Sequence, residues 1–166
     1  MDGAALYDTD VIAWAEQQAA ALRRLASQRD LPNELDLQNL AEEIEDLGKS
    51  ELRAVESLLV NILSHLILLW VDPEAPSIRG WRGEIAAWRG ALRRRMTPSM
   101  PGKIDMEPLW QDAIDVAYAK LIDAGMPLNA QLVRFELESM PSPLGVADLS
   151  EKMFDFEQAV AKLPAR

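Results

Sequence analysis

The chain contains no cysteine. A disulfide, a thiolate nucleophile, a cysteine-ligated zinc and a cysteine-bound cluster are therefore excluded. It has a single histidine, so His-rich metal sites are excluded as well. Positive charge is scarce: 17 Lys and Arg stand against 27 Asp and Glu, a net of −10 at pH 7. Such a chain repels polyanions, so neither nucleic acid nor an anionic membrane is expected as a partner. Long hydrophobic runs are missing too. The most apolar stretch, residues 58–71, is broken by Asn61, Ser64 and His65. Its longest pure run is Leu66 to Val71, whereas a membrane span needs about 20 residues. Met1-Asp2-Gly3 offers neither a basic nor an apolar leader region, so no signal peptide is expected and the protein is read as cytoplasmic.

What is present points to helices. The 166 residues are 49% hydrophobic, enough for one domain that buries roughly 70% of its unfolded surface. Residues 9–28 place Val11, Trp14, Gln18, Leu22 and Leu25 on one helical face. Asp8, Thr9 and Asp10 are candidate N-caps, and Pro32-Asn33 would end that helix. A second helix starts at Asp36, with Leu35 and Leu40 as a hydrophobic staple and Leu37, Leu40, Ile44 and Leu47 as its stripe. Gly48 reads as its C-terminal stop, and Ser50 as the cap of a third helix over 51–71. That third helix carries Leu52, Val55, Leu59, Ile62, Leu66 and Leu69, with a stripe wide enough for a central position.

Further helices are expected at about 78–96, 107–124 and 129–139, with a weak one around 147–163. Gly80, Gly83 and Gly90 weaken the 78–96 helix, or serve close helix contact there. No alternating strand, repeat or low-complexity tract occurs. The fold expected is all-α, an antiparallel bundle of five to six helices in one domain, residues 1–166. Its core would span 8–125, with a looser, less regular C-terminal segment over 126–166.

Three strings carry a family likeness: YDTDVIAWAEQQAAALR (7–23), NLAEEIEDLGKSELR (39–53) and RGWRGEIAAWR (79–89). In this order they resemble the family called domain of unknown function 29. Residues 97–166 resemble it mainly in helix placement. The resemblance implies a bacterial, all-helical protein. It implies no activity, cofactor or catalytic residue.

Two charge clusters are the candidate sites. Asp36 to Glu56 holds seven carboxylates and two cations. Glu42, Glu45 and Asp46 share helix faces and, with His65, could ligate a hard or borderline metal. However, the Glu-x-x-His pair of di-iron bundles is absent, since Ile62 stands three residues before His65. His65 lies roughly 90° from the centre of its helix's apolar stripe at 3.6 residues per turn, where Glu42 or Glu45 would pair with it and raise its pKa.

The second cluster, residues 79–95, holds six arginines and one acid, Glu84. Arg79, Arg82, Arg89 and Arg93 could meet an acidic partner or a phosphate, or pair internally with the acidic helix. The five tryptophans, Trp14, Trp70, Trp81, Trp88 and Trp110, are read as core. No nucleophile elbow or phosphate-loop pattern occurs. No catalytic residue and no cofactor is assigned. The reading is an interaction or regulatory protein, through an unidentified protein partner or self-association. The alternative is a metal-dependent hydrolase-like bundle built on the carboxylates and His65.

Overall fold

The computed structural model describes residues 3–28 and 35–165, with side chains from residue 5 onward. The Pro32-Asn33 stop lies outside the described residues. The fold is all-α, and no strand occurs among the described residues. The helices are α1 (Gly3–Thr9), α2 (Val11–Ala26), α3 (Leu37–Val71), α4 (Ile78–Arg95), α5 (Met106–Asp123), α6 (Pro127–Leu137), α7 (Val146–Ser150) and α8 (Phe156–Val160), with a 3₁₀ turn at Met100–Gly102. Five are longer than two turns, and the C-terminal segment is less regular, with α7 and α8 only five residues each.

The chain divides into two units, Met1–Val55 with Arg95–Lys103, and Glu56–Arg94 with Ile104–Arg166. In the first, α2 buries Ile12, Ala15 and Ala19. This corrects the expected face: the buried stripe is rotated from Val11, Trp14 and Gln18 onto small residues. Gly48 explains the choice. A Cβ built on it would lie 3.2 Å from Ala15 Cβ, so the two helices meet backbone to backbone. Gly48 is not a helix stop, and Ser50 is not a cap; α3 runs through both without a break. The helix begins as expected, with Asp36 Oδ1 accepting from the Asn39 amide at 3.1 Å. Its early stripe is Leu37, Ala41 and Gly48, whereas Leu40 and Leu47 are exposed. Asp10 caps α2 and also accepts from the Ser99 amide (2.8 Å) and hydroxyl (2.7 Å), tying the 3₁₀ turn to the helix start.

In the second unit the last ten residues of α3, nearly three turns, are its axis. Ile62 to Val71 are all buried, polar Ser64 and His65 included. An 18-residue window of α3 has a mean hydropathy of 1.9, long and apolar enough to cross a membrane, but 67% of it is buried in the protein. Its apolarity is thus used by packing, as a central helix requires. Trp110 is buried and donates to Met140 O at 2.8 Å. Trp70 donates to Pro164 O at 2.9 Å, which fixes the chain's last turn.

α5 stops where glycine allows. Gly125 has φ +73°, and the Met126 and Gly125 amides donate to Leu121 O (2.8 Å) and Ile122 O (2.9 Å), the paired bonds of a Schellman motif. α6 then packs on α5, burying Ala130, Val133 and Leu137.

Candidate functional site

The acidic candidates do not converge. Glu42 accepts from Gln38 Nε2 at 2.9 Å and is exposed. Glu45 pairs with Arg23 and with Lys49 (3.3 Å), and both cations lower its pKa, Arg23 first. Asp46 pairs with Lys49 at 3.0 Å. His65 belongs to a later part of α3 and meets other partners. Among the described residues no group of three or more His, Asp or Glu is placed to hold a metal ion.

The arginine helix is used mainly against the C-terminal segment. Arg89 is buried at 6% exposure on the stripe of Ile85 and Leu92. Its Nε donates to Leu149 O at 2.8 Å and its Nη2 to Glu151 O, while the guanidinium lies 3.9 Å from the Phe154 ring centroid. Burial lowers its pKa, Arg93 adds to that, and Glu151 opposes it. Arg82 pairs with Glu157 at 2.6 Å and stands 5.4 Å from the Phe156 ring. Arg79 and Arg93 are exposed. Arg95 alone among these arginines meets the acidic stretch, at Glu51 (3.1 Å). Gly80 and Gly83 have nothing within 4 Å of a built Cβ, so they serve no close helix contact.

Held this way, residues 144–162 enclose a cleft of about 520 Å³ with Arg82 on one wall. That volume falls in the usual range of ligand sites. Phe154 and Phe156 stand edge to face in it at 5.2 Å, and Met153 is 85% exposed at its lip. Its carboxylates are Asp148, Glu151, Asp155 and Glu157; its cations are Arg82 and Lys162. Lys162 pairs with Asp148 at 2.7 Å, and that bond, helped by the Gly145 amide, lowers the Asp148 pKa. Sequence reasoning missed this cleft. The signal available was Arg89 itself, four residues after Ile85 and three before Leu92, hence on the buried stripe.

His65 is the second polar feature. Only 3% exposed, it meets Glu84 rather than Glu42 or Glu45: Nε2 to Glu84 Oε2 is 3.0 Å. Nδ1 faces Asn61 O at 3.0 Å, and the ring packs edge to face on Trp88 at 4.6 Å. Lys120 Nζ stands 3.2 Å from Nε2 and 3.5 Å from Nδ1. A group so nearly equidistant from two nitrogens that point apart lies over the ring, not in line with either. The expected pKa rise is reversed. Burial pushes the imidazole down, Lys120 adds to this, and Asn61 and Glu84 recover only part. Ser64 Oγ lies 3.3 Å from Nδ1, but Ser64 is wholly buried and donates to Asn61 O, so no substrate could reach it as a nucleophile. Glu84 was legible as the single acid among six arginines, four residues before Trp88 and so on the same face.

Comparison with solved structures finds a crystal structure of an alpha-helical protein of unknown function from Rhodospirillum rubrum ATCC 11170. The two share 39% identity with a TM-score of 0.82, over 96% of this chain and 98% of that one. A comparison with curated proteins finds no match. The model of the family described as domain of unknown function DUF29 matches residues 6–135, most of the chain's length. The chain therefore belongs to the DUF29 family, as the three sequence strings suggested.

Proposed function

We propose that this protein is an interaction module that takes a segment of a protein partner into the C-terminal cleft. The observation that carries the reading is the cleft's composition: two aromatic rings and an exposed methionine, with four carboxylates against two cations. Apolar walls with an acidic excess favour an apolar side chain flanked by Lys or Arg. Arg82 and Arg89 of α4 act here as builders of the cleft, Arg89 being fully engaged inside the protein.

Met153→Asp tests this without touching the core, because the side chain is 85% exposed. In a pull-down, a partner retained by the parent protein is expected to be lost with the variant, and to bind more weakly as salt rises. The same partner held equally by both proteins would refute the reading.

A further inference from the structure

The chain has five lysines, Lys49, Lys103, Lys120, Lys152 and Lys162. Three face carboxylates: Lys49 at Asp46 (3.0 Å) and Glu45 (3.3 Å), Lys103 at Glu16 (2.6 Å) and Lys162 at Asp148 (2.7 Å). Each of these three amines is engaged in an ion pair, and at Lys49 the Asp46 and Glu45 carboxylates raise the pKa. Lys120 is placed differently. Its Nζ rests on the His65 imidazole, whose pKa burial lowers, while the side chain is exposed at the surface. The ring excludes water from one side of the amine without pairing with it as a carboxylate does. Burial accordingly favours the uncharged amine, and Glu84 only partly opposes it.

We propose that Lys120 is an acylation site, which takes an acyl group from an activated donor, a thioester or an acyl phosphate. The ammonium first loses one proton to water. The free lone pair adds to the donor's carbonyl carbon, forming a C–N bond. The C–S or C–O bond then breaks, and the thiolate or phosphate leaves with its electron pair. The second nitrogen proton passes to water, leaving a neutral amide. His65 and Trp88 are positioning residues here: the ring seats the amine, and Trp88 seats the ring. Acylation removes the charge above His65, so the imidazole of the acylated protein becomes easier to protonate.

The test treats the full chain with acetyl phosphate in one arm and acetyl coenzyme A in the other, and follows each lysine by peptide mass spectrometry. Lys152, exposed like Lys120, is the reference. At about pH 7.5, Lys120 is expected to acetylate at least about threefold faster than Lys152 in one or both arms, as for a desolvated amine. The preferred arm names the donor class. The ratio should shrink toward one as pH rises through about 10.4, the ordinary lysine value, because every amine is then free. A ratio that stays constant with pH would reflect access alone and would overturn the proposal. So would labelling of Lys120 no faster than Lys152 in both arms. His65→Gln is expected to reduce the ratio, and the pH profile of the unaltered protein decides the matter if that variant does not fold.

Discussion

Arg89 Nε donates to the carbonyl oxygen of Leu149 at 2.8 Å, so one buried guanidinium in the middle of α4 fixes the start of the cleft-forming segment. Its Nη2 takes Glu151 O, and its face covers Phe154. Arg89→Met would leave both carbonyls without their donor. We expect a loss of about 2–4 kcal/mol, from two charge-assisted bonds, one to the buried Leu149 carbonyl and one to the part-buried Glu151 carbonyl. Arg89→Lys should recover little, because an ammonium cannot fork across two carbonyls and cover a ring together. Denaturant unfolding measures the loss, and amide exchange over residues 144–162 should accelerate most. Unchanged exchange there would show that the segment is held by something else.

Gly48 makes a sharper prediction about α2 and α3. With Ala15 Cβ 3.2 Å from a built Cβ, Gly48→Ala sets a helix-propensity gain of about 1 kcal/mol against crowding, and the net should stay within about 1 kcal/mol. Gly48→Leu cannot be accommodated between the two backbones and should cost about 1–3 kcal/mol. Urea midpoints of the two variants check this. A Leu variant as stable as the parent would show that the helices do not approach as described.

The single histidine makes the pH dependence directly readable. Its folded pKa lies below the ordinary value of about 6.5, so the unfolded chain takes up the proton first as pH falls. The stability this contributes is fully present above about pH 6.5 and is lost as pH falls from there through the folded value. His65→Gln should flatten that window. Asp10 acts in a lower one. Burial alone would raise its pKa, but hydrogen bonds from Ser99 and Ala13 lower it, so its contribution is lost only as pH falls below about 3.9. The lone imidazole proton signal gives the His65 value by NMR titration. Lys120→Met should move it up and Glu84→Gln down. A value at or above 6.5 in the unaltered protein would contradict the buried, lysine-capped ring.

The central helix was legible because large apolar side chains at steps of three and four leave one reading, and Val55, Leu59, Ile62, Leu66 and Leu69 are all buried. Gly125 was legible for a similar reason: a glycine after the last periodic residue fits a positive φ. Gly48 was not. A glycine that stops a helix and one that lets two helices touch look alike until the facing residue is known. The small face of α2 was hidden for the same cause, since Ala15 and Ala19 carry little hydrophobic signal. Charge clusters misled in another way. Glu42, Glu45 and Asp46 stand out by density, yet they meet solvent and nearby cations. His65 instead found Glu84 and Lys120, pairs that depend on which helices become neighbours, and no local spacing encodes that.

The cleft's role is tested most directly by a photoreactive residue placed at Met153 in the cells that naturally make the protein. Phe135 on α6, 83% exposed and not part of the cleft lining, is the matched control. The account predicts a discrete cross-linked partner from position 153 and none of the same mass from position 135. No adduct from 153, or the same adduct from both positions, would contradict it.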